Sequence, residues 1–408
     1  MALIVQKFGG TSVANTERIR NVAKKVQKEL KKGNKVAVVL SAMSGVTDQL
    51  VGYTKEVSEL RTAEELAEYD TVVASGEQVT VGLLALALMS MGIKAKSFLG
   101  WQAGIKTDKI HSKARIEGID VKVIKDALKK GFVPIIPGFQ GITDDNRITT
   151  LGRGGSDTSG VALAAALKAD RCDIYTDVDG VYTTDPRINP KARKLQKVAY
   201  EEMLEMASLG AKVLQTRSVE LAMKYHVRTQ VLSSFSDEPG TLLVDEEEVM
   251  ERRLITGITY SKSDARVTLI GVEDSPGVAA AIFGPLADGE INVDMIVQNI
   301  SEDGKSTDIT FTVAKTDLKR AIAAIEKAKK VKYKKLLTDS NVAKVSVVGV
   351  GMRSHAGLAQ QMFKTLADKG INILVISTSE IKVSVLINEE YTELAVRALH
   401  TAYGLDKK

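Results

Sequence analysis

The chain has 408 residues, enough for two or three domains with separate cores, and its 44% apolar and 26% charged content is that of an ordinary globular protein. Fifty-six basic against 51 acidic residues leave a formal charge of +5, and aromatics make up only 5%. The lysine pairs at 24–25, 31–32, 129–130 and 329–330 fall on or beside helical patterns, and no basic stretch is interleaved with aromatics, so nucleic-acid binding has no support.

The single cysteine, Cys172, rules out an intrachain disulfide and reads as a small buried hydrophobe in CDIYTD. The four histidines (111, 226, 355, 400) are scattered, and none pairs with another at ligand spacing, which speaks against a His/Cys metal centre. MALIVQKFGG shows no basic start, long apolar core or cleavage site. The apolar run VGLLALALMSMG (81–92) reads as too short and too near charges to span a bilayer, so a cytoplasmic location is expected.

The first 240 residues alternate strand and helix patterns. LIVQKF predicts a strand. Thr16 to Lys32 places Ile19, Val22, Ala23, Val26 and Leu30 on one helical face before Gly33. KVAVVLSA (35–42) is a continuous apolar strand, and a long helical region then runs to Gly92. KAKSFL is a weaker strand, VKVIKDALKKG a helix, and FVPIIPGFQG a strand entering a glycine-rich loop. GVALAAALKA (160–169) reads as a helix, RCDIYTDV as a strand, EEMLEMASLG and RSVELAMKYH as helices, and VRTQVLSS as a strand. This order predicts an α/β fold with a largely parallel sheet covered by helices on both faces.

SDEPGTLLVDEEEVMER (237–253) changes character, and a domain boundary is expected there. Beyond it lies a repeat. ARVTLIGV (265–272) is matched by AKVSVVGV (343–350). Gly277, Phe283, Leu286, Ala287 and Asp288 are matched by Gly357, Phe363, Leu366, Ala367 and Asp368, and Ile291-Asn292-Val293 by Ile371-Asn372-Ile373. Each copy reads as a small split α/β sandwich, suited to regulation, to dimerisation or to both.

Three strand ends carry the candidate chemistry. In KFGGTS (7–12), two glycines after a strand let backbone amides face an anion, and Lys7 can bring an ammonium to phosphate oxygens; alone, the motif fits an ordinary turn equally well. TTLGRGGSDTSG (149–160) leads into an alanine-rich helix, another anion site, and offers Arg153 as a carboxylate clamp and Asp157 as a lysine partner. YTDVDGVYTTDPR (175–187) gathers Asp177, Asp179 and Asp185 near Arg187 after a buried strand. Three such clusters make a chance set of turns a poor explanation. DGKST (303–307) lacks the first glycine of a phosphate-binding P-loop, there is no H-R-D catalytic loop, and GRGGSD lacks dinucleotide spacing.

KFGGTS (7–12), SAMSGVTD (41–48), ASGE (74–77), TTLGRGGSD (149–157) and TDVDGVYTTDPR (176–187), in this order, resemble the aspartate kinases of the amino-acid kinase family, and the repeated tail resembles their two ACT modules. The resemblance implies a three-layer αβα kinase domain over 1–245 and a linker with a strand over 246–264. That strand would join the second module. Two ferredoxin-like α+β ACT modules would follow over 265–340 and 341–408. It implies transfer of the ATP γ-phosphoryl group to the β-carboxylate of L-aspartate. An ionised carboxylate needs no general base, so catalysis would be positioning and charge neutralisation. Lys7 would lie between the two anions, oriented by Asp157. Gly9, Gly10, Thr11 and Lys212 would hold phosphates, and Thr176, Asp177, Tyr182, Asp185 and Arg187 the nucleotide. Arg153, with Gly154, Gly155 and Ser156, would take the substrate α-carboxylate, Glu77 its ammonium, and Ser41 and Thr47 would line the pocket. Magnesium would arrive on the ATP phosphates without a protein ligand. Effector positions would be Asp274, Ser275, Pro276, Gly277, Asn292, Val293 and Gln298, and in the second copy His355, Ala356, Asn372, Ile373, Ser379, Glu380 and Ile381. Lysine, threonine or both would inhibit. Assembly through the ACT modules would give a homodimer, a homotetramer or an α2β2 complex whose small subunit starts near Met250.

Overall fold

The computed structural model describes residues 1–211, 213–249, 254–300, 306–327, 331–353, 355 and 357–407. Lys212, Met250, Ala356, the lysines at 329–330 and residues 303–305 of DGKST lie outside the described residues. Contacts divide the chain into two compact units. The first holds Met1–Val181, Lys194–Ser208 and residues 213–249; the second holds Tyr182–Arg193, Leu209–Ala211 and the residues from 254 onward.

The first unit begins with β1 (Leu3–Phe8), whose apolar run is buried on both faces. Helix α1 (Thr16–Lys31) starts where the Asn15 side chain accepts from Arg18 N, and it buries Ile19, Val22, Ala23 and Val26. Then follow β2 (Lys35–Leu40), α2 (Val46–Val57), α3 (Ala63–Val73) and α4 (Ser75–Ser90). Helix α3 opens with a reciprocal Thr62–Glu65 capping box. Helices α3 and α4 run on from Ala63 to Ser90, 28 residues, which by length and composition are enough to cross a membrane, although the 81–92 run alone read as too short. Buried Asp70 and Glu77, and Val81, Leu84 and Leu88 packed on the sheet, make it a core helix instead.

Onward lie β3 (Ala95–Ser97), β4 (Ile105–Thr107), β5 (Ile116–Ile119), α5 (Lys122–Lys129), β6 (Val133–Pro137), β7 (Gln140–Ile142) and β8 (Ile148–Thr150). They are followed by α6 (Gly155–Leu167), β9 (Arg171–Thr176), β10 (Lys197–Ala199), α7 (Tyr200–Ser208), α8 (Thr216–Lys224), β11 (Thr229–Ser233) and β12 (Thr241–Val244). The main sheet runs β10-β12-β11-β9-β1-β2-β6-β3 and is parallel except at the β11–β12 pair. Helices α1 and α4 pack on the face carrying Phe8, Val38 and Leu40, and α6 on the face carrying Lys7. In register, Phe8 lies beside Leu40 and Tyr175, and Leu40 beside Pro137, so β1, β2, β6 and β9 all deliver their carboxyl ends to one edge. A smaller sheet, β5-β4-β7-β8, adjoins it, made of strands too short to show a sequence period.

The second unit contains β13 (Gly257–Ser261), β14 (Asp264–Glu273), α9 (Val278–Asp288), β15 (Val293–Ile300), β16 (Ser306–Ala314), α10 (Leu318–Lys327) and β17 (Lys335–Asp339). Strand β18 (Val342–Val348), α11 (Leu358–Asp368), β19 (Val375–Thr378), β20 (Lys382–Asn388) and α12 (Thr392–Ala402) complete it. Two antiparallel sheets result, β15-β16-β14-β17 and β13-β18-β20-β19. Strand β13 pairs with β18 just as β17 pairs with β14, so each repeat is a four-stranded sheet backed by two helices. Met295, Val342, Val375 and Leu386 form a small core shared by the two repeats, and Lys344 Nζ reaches Asp294 at 2.6 Å and Asp264 at 3.7 Å.

Candidate active site

At the carboxyl edge of the main sheet, Lys7 turns toward α6 and its Nζ lies 2.5 Å from Asp157 Oδ1. Both side chains are nearly buried, at 9% and 13% exposure, so the pair is held in a low-dielectric wall. Asp157 is in the first turn of α6, where the helix's positive end favours a carboxylate. One turn on, Gly160 lets the helix approach: a Cβ there would sit 3.0 Å from Lys7 Cβ.

The turn after β1 is closed by Gly9 N donating to Tyr175 O at 3.1 Å, and residues Gly10–Val13 form a single tight helical turn. Neither glycine is needed for a left-handed conformation. What they supply is space, since a Cβ on Gly10 would meet Ala42 O at 3.1 Å and one on Gly9 would lie 3.5 Å from Lys7 Nζ. Ser12 Oγ shares a hydrogen bond with Ser234 Oγ (2.5 Å), and Ser234 N donates to Thr176 O at 2.8 Å, which ties the turn to the end of β9. Ser234 carried no motif in the sequence and was missed.

Ser41 N donates to Phe8 O at 3.1 Å, while Thr80 Oγ1 donates to Ser41 O at 2.9 Å. Beside them Glu77 is 2% exposed; its Oε1 accepts from Ala42 N at 3.0 Å and its Oε2 has no partner. Burial outweighs the Ala42 hydrogen bond and pushes the Glu77 carboxyl up to about 7. Thr47 is half-buried at the start of α2. Arg153 is exposed between Gly152 and Gly154, whose φ values of 73° and 72° only glycine adopts readily; Gly154 caps α6, and Gly155 and Ser156 begin it.

The Thr176 hydroxyl donates to Asp177 Oδ1 at 3.1 Å in the first unit. Tyr182, Asp185 and Arg187 belong to the second unit. There Asp185 accepts from Arg187 Nη2 (2.8 Å) and from the Tyr260 hydroxyl (3.2 Å). The Arg187 hydrogen bond holds the Asp185 carboxyl below the usual range. Among the described residues, no group of three or more His, Cys, Asp or Glu gathers into a metal-binding cluster.

In the repeats, Asp274, Ser275, Pro276, Gly277 and Gln298 line one cavity of about 380 Å³ at the start of α9, while Asn292 and Val293 do not line it and sit where the chain enters β15. The matching segments of the second repeat place exposed His355 before α11, with Nδ1 3.1 Å from Gly351 O. Asn372 and Ile373 precede β19, and Ser379–Ile381 form the β19–β20 turn, where Ser379 N donates to Lys382 O at 2.9 Å and Glu380 faces Arg353 at 3.4 Å.

A lysine–aspartate pair and glycine turns at one parallel-sheet edge in the first unit, and a repeated four-stranded module in the second, belong to a chain that matches known proteins along nearly its entire length. Residues 2–233 match the model of the amino acid kinase family, and 267–328 and 345–403 that of the ACT domain. The chain belongs to the amino acid kinase family. Its place within that family is among the aspartate kinases: it is 56% identical to the aspartate kinase of Pseudomonas putida, covering 100% of this chain and 98% of the relative. The crystal structure of E. coli aspartokinase III in complex with aspartate and ADP (R-state) is 26% identical, with a TM-score of 0.79 over 98% of this chain and 99% of that one. The structure of the same enzyme in complex with lysine and aspartate (T-state) gives 26% identity and a TM-score of 0.75, with the same coverage.

Proposed function

We propose that this kinase transfers the γ-phosphoryl group of MgATP to the β-carboxylate of L-aspartate, giving 4-phospho-L-aspartate and ADP. This would be the first step of the route to lysine, threonine and methionine. The observation that carries the reading is the Lys7–Asp157 pair at the strand ends, with the buried, half-satisfied Glu77 across the same edge. Lys7 would neutralise the charge between the incoming carboxylate and the γ-phosphate, and Asp157 would hold it there. Gly10 and Thr11 would present amides to phosphate oxygens, while Gly9, whose N–H is taken by Tyr175 O, would serve by leaving the approach clear of a Cβ. Thr176, Asp177, Tyr182, Asp185, Arg187 and Lys212 would form the rest of the nucleotide site. Arg153 with Gly154–Ser156 would take the α-carboxylate and Glu77 Oε2 the α-ammonium, with Ser41 and Thr47 as pocket walls. The nucleophile is an ionised carboxylate, so positioning and charge carry the rate. Magnesium enters with ATP and lends its charge to the phosphates, and no protein ligand is assigned to it.

Residues 1–245 would be the catalytic part, 246–264 a linker, and 265–340 and 341–408 two effector modules. The E. coli structure named for lysine and aspartate supports lysine as an inhibitor here; threonine is the second candidate. The cavity lined by Asp274–Gly277 and Gln298 would be one effector site, and His355, Ala356, Asn372, Ile373 and Ser379–Ile381 its counterpart. Assembly would run through these modules as a homodimer, a homotetramer or an α2β2 complex with a small subunit from Met250. The test is ADP release with L-aspartate, glutamate and acetylglutamate, trapping the acyl phosphate with hydroxylamine. Turnover with aspartate alone is expected; no turnover with it overturns the reading.

A further inference from the structure

Asp70, on α3, is completely buried and lies outside the site just described. Its carboxylate accepts from His111 Nδ1 at 2.7 Å, from Ser112 N at 3.1 Å to each oxygen, and from Thr150 Oγ1 at 2.5 Å. Burying a carboxylate is costly unless donors surround it, and here the donors come from two separate segments. One is the loop 108–114. The other is the end of β8, whose Thr150 is itself fully buried.

What lies along the chain from this cluster gives it meaning. Thr150 precedes Arg153 by two intervening residues, and the next carbonyl, Leu151 O, accepts from Arg217 Nη1 at 3.0 Å. Arg217 Nη2 binds Ala114 O at 2.8 Å, and Ala114 N in turn donates to Thr150 O at 2.9 Å. In the other direction, α3 runs through Ala74 directly into α4 and Glu77. The Asp70 carboxylate therefore pins the base of the Arg153 turn to α3, which runs on into the helix that carries Glu77.

We propose that Asp70 is a positioning residue for amino-acid recognition. It sets the separation between the group that takes the α-carboxylate and the group that takes the α-ammonium, and it acts through Thr150. This rests on the assignment of Arg153 and Glu77 in the proposed function. Neither Asp70 nor Thr150 touches the substrate, so the signature is selective: recognition of the amino acid suffers while the nucleotide side of the sheet edge does not.

Steady-state kinetics of Thr150→Val, Thr150→Ser and Asp70→Asn test this, with folding followed by circular dichroism and thermal melting. Loss of one hydrogen bond to the buried charge should raise KM for L-aspartate by about tenfold in Thr150→Val. The KM for ATP and kcat should stay within about twofold, and Thr150→Ser, which keeps the hydroxyl, should return KM toward wild type. Asp70→Asn should show the same split. An unchanged KM for aspartate in Thr150→Val overturns the proposal, as does a parallel rise in both KM values that serine does not rescue. Failure of both Thr150→Val and Asp70→Asn to fold also overturns it, because the cluster is then a folding element only. Absence of turnover by the wild-type protein is a different result: it removes the proposed function and this inference with it.

Discussion

Glu77 is a carboxyl group with one oxygen bonded and the other buried without a partner, and burial raises its pKa to about 7. An ammonium placed against Oε2 favours the ionised form, so aspartate binding should release about 0.9 proton from this group at pH 6, falling to about half a proton at pH 7. Calorimetric titrations in two buffers of different ionisation enthalpy would measure it, and Glu77→Gln should abolish it. The same shift has a folding counterpart. The unfolded group ionises near its ordinary 4.5 while the folded one holds its proton, so stability falls as pH rises through that window and reaches its full cost above about 7. A shift of this size corresponds to about 3 kcal/mol, and Glu77→Gln should melt higher than wild type at pH 8 while binding aspartate less well. Lys7→Ala should act differently. In the proposed role its charge would matter most in the transition state, so kcat should fall by about 10²- to 10³-fold with KM for aspartate little changed, as read by the hydroxylamine assay.

Among the elements, α6 shows how a helix can serve a site by what it lacks. Gly160 leaves room for the Lys7 stem, and Gly154 turns the chain into the helix in a conformation other residues resist. Alanine at 160 should favour the helix by up to about 1 kcal/mol through propensity. Its Cβ would press on Lys7 at 3.0 Å, so Gly160→Ala should lose about tenfold in kcat without a gain in melting temperature. This helix was also the hardest to bound from the sequence. Its alanine-rich body from 160 was legible, but its first turn is Gly-Ser-Asp-Thr-Ser, which reads as loop because those residues favour caps and turns. Helix α1 was plain by contrast, with one clean apolar face and a glycine at its end. The small sheet β5-β4-β7-β8 left no trace, its strands being three or four residues long. The glycine-rich strand ends were legible as chemistry because the parallel order of strands already places them on one edge. The Asp70 cluster was not, since its members are tens of residues apart and no local spacing announces them.

At the scale of the whole molecule, the tandem repeat was visible as self-similarity, whereas the tie between its copies was not. Lys344, nearly buried in β18 of the second repeat, bridges Asp294 and Asp264 of the first. Burial alone would raise the Asp294 carboxyl, but the Lys344 hydrogen bond and charge outweigh it and hold it low. The stability this contributes is present above the ordinary carboxylate range and is lost as pH falls through the lowered value. Lys344→Ala should destabilise the second unit by about 2 kcal/mol in urea melts. That is less than the 3–5 kcal/mol of a fully buried pair, because Asp294 is half-exposed and can rehydrate. Lys344→Met, which refills the volume, should cost less.

The unpaired oxygen of Glu77 bears on error as well as on binding. Above pH 7 it is mainly an anion, and in the proposed role a dicarboxylate without an amino group, such as succinate, would meet repulsion where the ammonium of aspartate would meet a partner. Below that pH the group is a neutral acid, and the repulsive half of the discrimination disappears. The ratio of the succinate inhibition constant to the KM for aspartate should therefore narrow between pH 8 and pH 6, in which case the fidelity of the reaction would follow the acidity of its surroundings as well as the shape of the pocket.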